Sequence, residues 1–480
     1  MQDKLKTTID YLKAKGVDYG DIRYVNRETE SIKVTGQTVD SLSKNVDQGF
    51  GIRVIADGAW GFASSSICTA AEMRKIANRA ITIAKASAMT KKENVRLAEA
   101  QPQIGTYATP FEIDPFGVKL KPKIALLLQA NKILAKDARI KVAESSMDFF
   151  KTYKIFCSTE GAQIEQHLME SGAGYTATAV EGSEVQRRSY PNSHGGDFGT
   201  GGYEFIERMN LPDHAERVRE EAIALLTAPP LPAGKRDVII GASQLALQVH
   251  ESCGHPSELD RVLGTEISLA GGSFLQPEKL NKLQYGSKIV NIVADATTPG
   301  GLGTFGYDDE GIPAMRDFIV RNGLFVGYLS SRETAPVINR RSNGAMRAEG
   351  WNRIPLIRMT NINLEPGNID FDDLLADTEG GLLLETNKSW SIDDQRLNFQ
   401  FGVEIAWEIK GGKKGRIFKN PLYTGITPQF WSSCDAICSK NYWHVWGVPN
   451  CGKGEPMQIA HVAHGAAPAR FRNLEVGVMQ

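Results

Sequence analysis

Six consecutive residues carry side chains of the types that hydrolytic chemistry needs: His250-Glu251-Ser252-Cys253-Gly254-His255. Two neutral imidazoles can share a metal ion, and a carboxylate beside the first can move a proton. The familiar zinc pattern sets its histidines four apart, so that both rings leave one helix face. Here they are five apart. Each residue of a regular helix turns about 100°, which sets the second ring roughly 140° from the first. The rings converge only where the helix is broken or distorted between them. Gly254 and Pro256 favour a break. Glycine is a natural left-handed helix stop, and proline disfavours helical geometry at the residue before it. The expectation is a helix that ends by Gly254, with His255 the first non-helical residue, swinging back towards His250. A π-bulge would absorb the added residue in a similar way.

Two histidines need a third protein ligand. The fourth position then takes a water whose pKa falls to about 7. Glu251 can take that water's proton as it attacks a peptide carbonyl, then pass it to the leaving amine. Spacing leaves the third ligand open. Glu258 is near in sequence. Cys451 is distant, in Asn450-Cys451-Gly452-Lys453-Gly454, but its glycines let backbone approach closely. Cys253 is expected to point into the helix packing. The competing account is two histidines adjacent by chance, one of them a satisfied core residue.

Other signals are weaker. Cys434, Cys438, His444 and Cys451 could form a separate structural zinc site, but the spacing C-x3-C-x5-H-x6-C lacks close knuckles. That site would also take Cys451 from the first. Gly301-Leu-Gly303-Thr-Phe-Gly306 matches a dinucleotide fingerprint, but no helix pattern follows it, so it reads as a flexible loop near the active cleft. Cys253 and His255 are too close along one segment to act as a thiol–imidazole pair. His461 and His464, in an apolar stretch, read as structural. Trp431, Trp443 and Trp446 read as core or dimer contact, since no Lys or Arg interleaves them as a nucleic-acid groove requires.

The elements that must carry the motif are short. Val238–Ile240 reads as a strand, and Ser243 as the N-cap of the motif helix. The preceding Ala228-Pro-Pro-Leu-Pro-Ala-Gly234 is the best linker in the chain, because its prolines deny both helix and ladder. The expected architecture is therefore α+β, with an N-terminal α+β domain over 1–228 and a β-rich C-terminal domain over 229–480. In the first, an amphipathic helix carries Leu5, Ile9 and Leu12. An antiparallel meander of short runs (22–25, 31–34, 50–55, 60–63) follows, with a hairpin turn at Asp57-Gly58. Capping boxes at Thr69–Glu72 and Asp213–Glu216, and Pro122 in a first turn, mark helices. In the second, strand signals dominate, with a hairpin turn at Arg321-Asn322-Gly323.

Composition narrows the function classes. The chain has 480 residues, with 55 Lys plus Arg against 56 Asp plus Glu, a net charge of -1. A balance this even argues against a broad nucleic-acid surface. The longest apolar runs fall far short of a membrane span, and the N-terminus lacks the apolar core of a signal peptide. Six cysteines make no disulfide framework, so the cytoplasm is the expected compartment and the thiols are available as ligands.

The chain also resembles the TldD/PmbA family, the modulators of DNA gyrase, and its TldD branch above all. The likeness runs over nearly the whole length. It includes Asp47-Gln-Gly-Phe-Gly-Ile-Arg53, Gly61-Phe-Ala63, the His250–His255 motif, Asp309-Glu-Gly311, Arg358-Met-Thr-Asn361 and Asn450-Cys-Gly-Lys453. The resemblance implies a zinc metallopeptidase acting on unfolded or leader peptides. It implies Zn2+ ligands at His250, His255 and Cys451, Glu251 as the catalytic residue, and Glu258 behind the ligands. It implies a homodimer, or a heterodimer with a related chain that lacks the motif. This chain keeps every metal position and so resembles the active type. An extended peptide substrate suits docking on a strand edge. The rival function is a binding protein that modulates a large partner such as gyrase, with the metal as a structural clip.

Overall fold

A computed structural model of the chain describes residues 1–479. The fold is mixed α/β. Residues 19–200 build one eight-stranded sheet in the order Ala59–Ser65, Thr38–Ala56, Tyr19–Thr35, Ile140–Ser158, Gln163–Glu181, Ile104–Ala108. Glu184–Tyr190 and Asp197–Thr200 also pair with Gln163–Glu181. The expected antiparallel meander forms, but from two long strands and one short one, with 22–25 and 31–34 in the same long strand. The polar stretch between them stays extended because Tyr19–Thr35 is paired on both edges. The Asp57-Gly58 turn forms as expected, both residues having positive φ.

Helices cover this sheet in two groups. Gln2–Ala14 and Ala70–Ala88 bury Leu5, Ile9, Leu12, Met73 and Ile76 against Phe50, Ile52 and Val54. Leu120–Leu134 and Leu211–Thr227 bury Leu127, Leu134, Val218 and Ala222 against Phe149 and Tyr175. The Thr69 hydroxyl caps Glu72 N–H at 3.2 Å. The box expected at Asp213 does not start its helix. Pro212 already sits in the first turn, and the helix begins at Leu211.

Residues 228–233 link Leu211–Thr227 to the strand Gly234–Ile240. The segment is tied down, with Lys419 N–H donating to Pro229 O at 3.1 Å. Beyond it, a seven-stranded sheet (Leu382–Ile392, Gly234–Ile240, Ala469–Val478, Pro421–Ile426, Asn398–Lys410, Lys413–Phe418, with Cys434–Ile437 at the side) surrounds the largest apolar core. A four-stranded sheet around Ile292–Asp295 and the hairpin His444–Lys453/Gln458–Ala466 complete this half.

The halves meet through buried charge. Asp309 Oδ1 accepts from Lys154 Nζ at 2.8 Å, and its Oδ2 accepts from Ala348 N–H at 2.8 Å. Arg23 donates to Gly350 O at 3.0 Å and Arg353 O at 2.7 Å. Burial alone would raise the Asp309 carboxyl, but Lys154 and Arg23 outweigh it and hold the pKa down to about 2.

Candidate metal centre

Gly234–Ile240 feeds the helix Ala242–Val249, whose N-cap is Gly241 rather than Ser243. His250–Gly254 then wind as one π turn, and His255–Ser257 as a 3-10 turn. His255 N–H donates to His250 O. A π turn closes one residue later than an α turn, so residues five apart come to stand one above the other. The helix is therefore widened, not stopped, and two expectations are corrected. Gly254 is right-handed (φ -59°, ψ -69°), and His255 keeps helical angles (φ -57°, ψ -46°) despite Pro256. Gly254 serves close approach: a Cβ there would lie 2.1 Å from Met359 Sδ.

The π turn brings the imidazoles edge to face, with ring centres 4.9 Å apart. Cys451 arrives from the hairpin strand His444–Lys453, just past a register shift between Val448 and Cys451. Its Sγ lies 3.5 Å from His250 Nε2 and 3.6 Å from His255 Nε2. Tetrahedral zinc, with bonds of about 2.3 Å to sulfur and about 2.05 Å to nitrogen, sets S and N about 3.6 Å apart. The buried donor set thus fits a zinc-sized ion. Among the described residues it is the one cluster of His, Cys, Asp or Glu with such convergence.

The groups behind the donors fix their orientation. Ile362 O can only accept, so His464 Nδ1, 3.1 Å away, carries the hydrogen. His464 Nε2 then accepts from His250 Nδ1–H at 2.7 Å, and the His250 Nε2 lone pair is left facing Cys451. Glu258 Oε2 accepts from His255 Nδ1–H at 2.9 Å. Glu258 therefore meets the far side of the ring. Burial lowers the pKa of His250, His255 and His464, which keeps the imidazoles neutral, as metal ligation requires.

Cys451 is clamped from its own backbone. Arg358 donates to Cys451 O and, at 3.0 Å, to Gln458 O. Lys453, fully buried, donates to both oxygens of Asp260 at 2.7 and 2.6 Å and to Ile357 O at 2.7 Å. This ties the hairpin to the segment just past His255. Burial pushes the Cys451 thiol up, and the Arg358 guanidinium pulls it down. Burial drives Cys253 and Cys438 up to about 12, and Cys434 higher.

Glu251 is buried beside His250 and forms an ion pair through Oε2 with Arg396 Nη1. Arg396 stands in the turn between Leu382–Ile392 and Asn398–Lys410.

The remaining candidates disperse. Cys434 and Cys438 are buried, but His444 is held elsewhere, its Nε2 2.7 Å from Asp197 Oδ2. Cys253 lies in the core, as expected. His461 reaches across to the first sheet, its Nδ1 2.9 Å from Glu170 Oε2. His464 belongs to the site. The Gly301–Gly306 loop is buried over most of its length and pinned by Asn361, which accepts from Gly303 N–H at 2.8 Å. Trp431 is core, donating to Ser252 Oγ at 3.0 Å. Sequence reasoning missed His464, Arg396 and the Arg358 and Lys453 clamps. Arg358 and Lys453 stand in motifs that carry the family resemblance, and Arg396 lies in the polar run Asp393-Asp-Gln-Arg396, but nothing in the pattern gives their roles.

Comparison with known proteins agrees with this architecture. A profile described as the PmbA/TldA metallopeptidase C-terminal domain matches residues 233–477, and its domain 1 and central domain match 20–84 and 113–226. The chain belongs to the PmbA/TldA metallopeptidase family. A metalloprotease of Methanocaldococcus jannaschii is 30% identical, over 91% of this chain and 92% of its own. A zinc metalloprotease TldD homolog of Saccharolobus solfataricus is 23% identical, over 96% of this chain and 97% of its own. Among solved structures, one from Thermotoga maritima, described as a proposed modulator of a DNA gyrase, superposes with a TM-score of 0.77 at 18% identity, covering 99% of each chain. TldE from Thermococcus kodakarensis gives 0.76 at 15% identity, over 99% of this chain and 100% of its own. At these identities the two structures speak for the fold. The family makes the chain a metallopeptidase. Among the described residues, no helix is long and apolar enough to cross a membrane.

Proposed function

We propose that the chain is a zinc peptidase of the cytoplasm that cuts unfolded or leader peptides, with Zn2+ held by His250, His255 and Cys451. The observation that carries this reading is the pair of sulfur–nitrogen separations, 3.5 and 3.6 Å, at a buried thiol between two neutral imidazoles. Bound there, zinc supplies Lewis acidity and lowers the pKa of a water. Glu251 does the proton work. Its Oε2 is engaged by Arg396, which leaves Oε1 to take the proton of the attacking water and give it to the leaving amine. His464 and Glu258 hold the imidazoles in the tautomers that present Nε2. The substrate is an extended peptide, and the working unit pairs this chain with a second copy or a related chain.

The test compares wild type with Glu251→Gln on unstructured peptides, with cleavage read by mass spectrometry and metal measured in both. The reading expects equal metal and a loss of turnover of about 10²–10⁴. No turnover in either, with metal retained, would instead support a structural metal in a binding protein, the modulator reading, and equal turnover would remove Glu251 as the proton carrier.

A further inference from the structure

Arg396 combines three features that pairing with Glu251 alone does not explain. Its Nε is buried without a hydrogen-bond partner. The Nε atoms of Arg23, Arg27 and Arg358 are likewise buried without a partner, but of these four arginines only Arg396 pairs with the carboxylate beside His250. Its backbone is left-handed (φ 60°), a conformation that a non-glycine residue keeps only where its surroundings impose it. Those surroundings are firm. Arg396 N–H donates to Asp393 O at 2.8 Å, and Thr427 Oγ donates to Arg396 O at 3.0 Å. Asp393 accepts from Leu397 N–H at 2.8 Å and Asn398 N–H at 3.0 Å, and Phe274 N–H donates to Gln395 O at 2.9 Å. The turn is fastened on several sides, yet the side chain it presents keeps a donor in reserve. A guanidinium has five N–H donors, and Glu251 Oε2 takes one from Nη1.

The reserve lies beside the carboxylate that moves the proton, where a scissile carbonyl must also lie. Hydrolysis adds water across that carbonyl carbon, and negative charge gathers on its oxygen. Resting on the peptidase reading above, we propose that Arg396 is a catalytic residue that steadies Glu251 and donates to the carbonyl oxygen of the bond being cut. The contact strengthens as the oxygen becomes an anion, so it acts on kcat more than on KM.

The test uses a peptide that the wild type cuts at one mapped bond and a phosphinic analogue of it, whose tetrahedral phosphorus oxygens imitate the charged intermediate. In Arg396→Ala, metal per chain stays at the wild-type level. kcat falls about 100-fold or more, as for loss of one oxyanion donor. Affinity for the phosphinic analogue falls by a similar factor, whereas affinity of the inactive Glu251→Gln background for the parent peptide changes less than about threefold. Arg396→Lys recovers part of the loss, and millimolar guanidinium ion partly restores Arg396→Ala. A merely structural arginine would give neither recovery. Equal weakening of analogue and peptide, or unchanged analogue binding with metal retained, would overturn the proposal and leave the peptidase reading intact. If Arg396→Ala does not fold, Arg396→Lys decides on the same two affinities. A wild type that cuts no peptide would defeat the peptidase reading and the proposal with it, and a Glu251→Gln chain that keeps turnover would defeat the role of Glu251 on which the proposal rests.

Discussion

Two buried polar clusters, one at the junction of the halves and one at the end of the motif helix, have opposite bookkeeping. Around Asp309 both carboxylate oxygens have donors, and the neighbouring Arg23 reaches two carbonyls across the junction. Around His250 and His255 the outer ring nitrogens are satisfied by His464 and Glu258, while the inner ones face Cys451. The first cluster pairs both carboxylate oxygens, leaves Arg23 Nε without a partner, and holds the halves together. The second holds its outer ring nitrogens and turns its inner ones towards Cys451, leaving Glu258 Oε1 without a partner, which is the arrangement the proposed metal needs. Burial and charge are common to both. Whether lone pairs converge without a donor between them separates a fastening from a site.

The largest effect should come from breaking the first cluster. Asp309→Asn leaves Lys154 and Arg23 buried beside a neutral group, and removing one partner of a buried pair costs about 3–5 kcal/mol. Urea unfolding should show this loss, and the variant that remains folded should keep its metal. A loss under about 1 kcal/mol would mean that the cluster is better solvated than its burial indicates.

The second cluster should answer differently. His464→Phe removes the acceptor that orients His250 but no metal donor. Chelator competition should show metal affinity lower by about 10–100-fold, with little change in unfolding. Unchanged affinity would mean that His250 needs no such support.

Acid gives a smaller and graded contrast. The Asp309 carboxyl is held to about 2 in the folded protein, against about 3.9 in an unfolded chain. A depressed carboxyl stabilises above its unfolded pKa and loses that contribution as pH falls through the folded one. The stability gap between wild type and Asp309→Asn should therefore narrow between about pH 4 and pH 2. A gap that stays constant over this range would place the cost elsewhere.

How far the sequence disclosed this is clearest at the motif. Spacing alone showed that a regular helix cannot aim His250 and His255 at one ion. It did not separate a stop from a widened turn, because Gly254 suits both. Met359 Sδ stands 2.1 Å from where a Cβ at Gly254 would lie, a close approach that suits glycine in the widened turn. That contact spans a hundred residues of chain and leaves no local pattern. Similarly, His464 lies in an apolar run like any core histidine, and only the pairing of Gln458–Ala466 with the Cys451 strand carries it to His250. Elements with their own periodicity or turn chemistry were legible, such as Gln2–Ala14 and the Asp57-Gly58 hairpin. The long strands were not, because pairing, on both edges for Tyr19–Thr35 and on one for residues 38–49, overrides the polar residues within them.

The smallest effect is expected from the late cysteines. Cys438→Ala should leave metal content unchanged by atomic absorption, since its thiol is held protonated by burial and lies outside the donor cluster. A loss of metal there would favour the C-x3-C site over the motif.

The most direct measurement is metal stoichiometry in protein purified without chelator or affinity metal, set beside His250→Ala. The account predicts about one zinc per wild-type chain and none in the variant. Equal metal in the two, or none in either, would contradict a metal centre built on His250, His255 and Cys451.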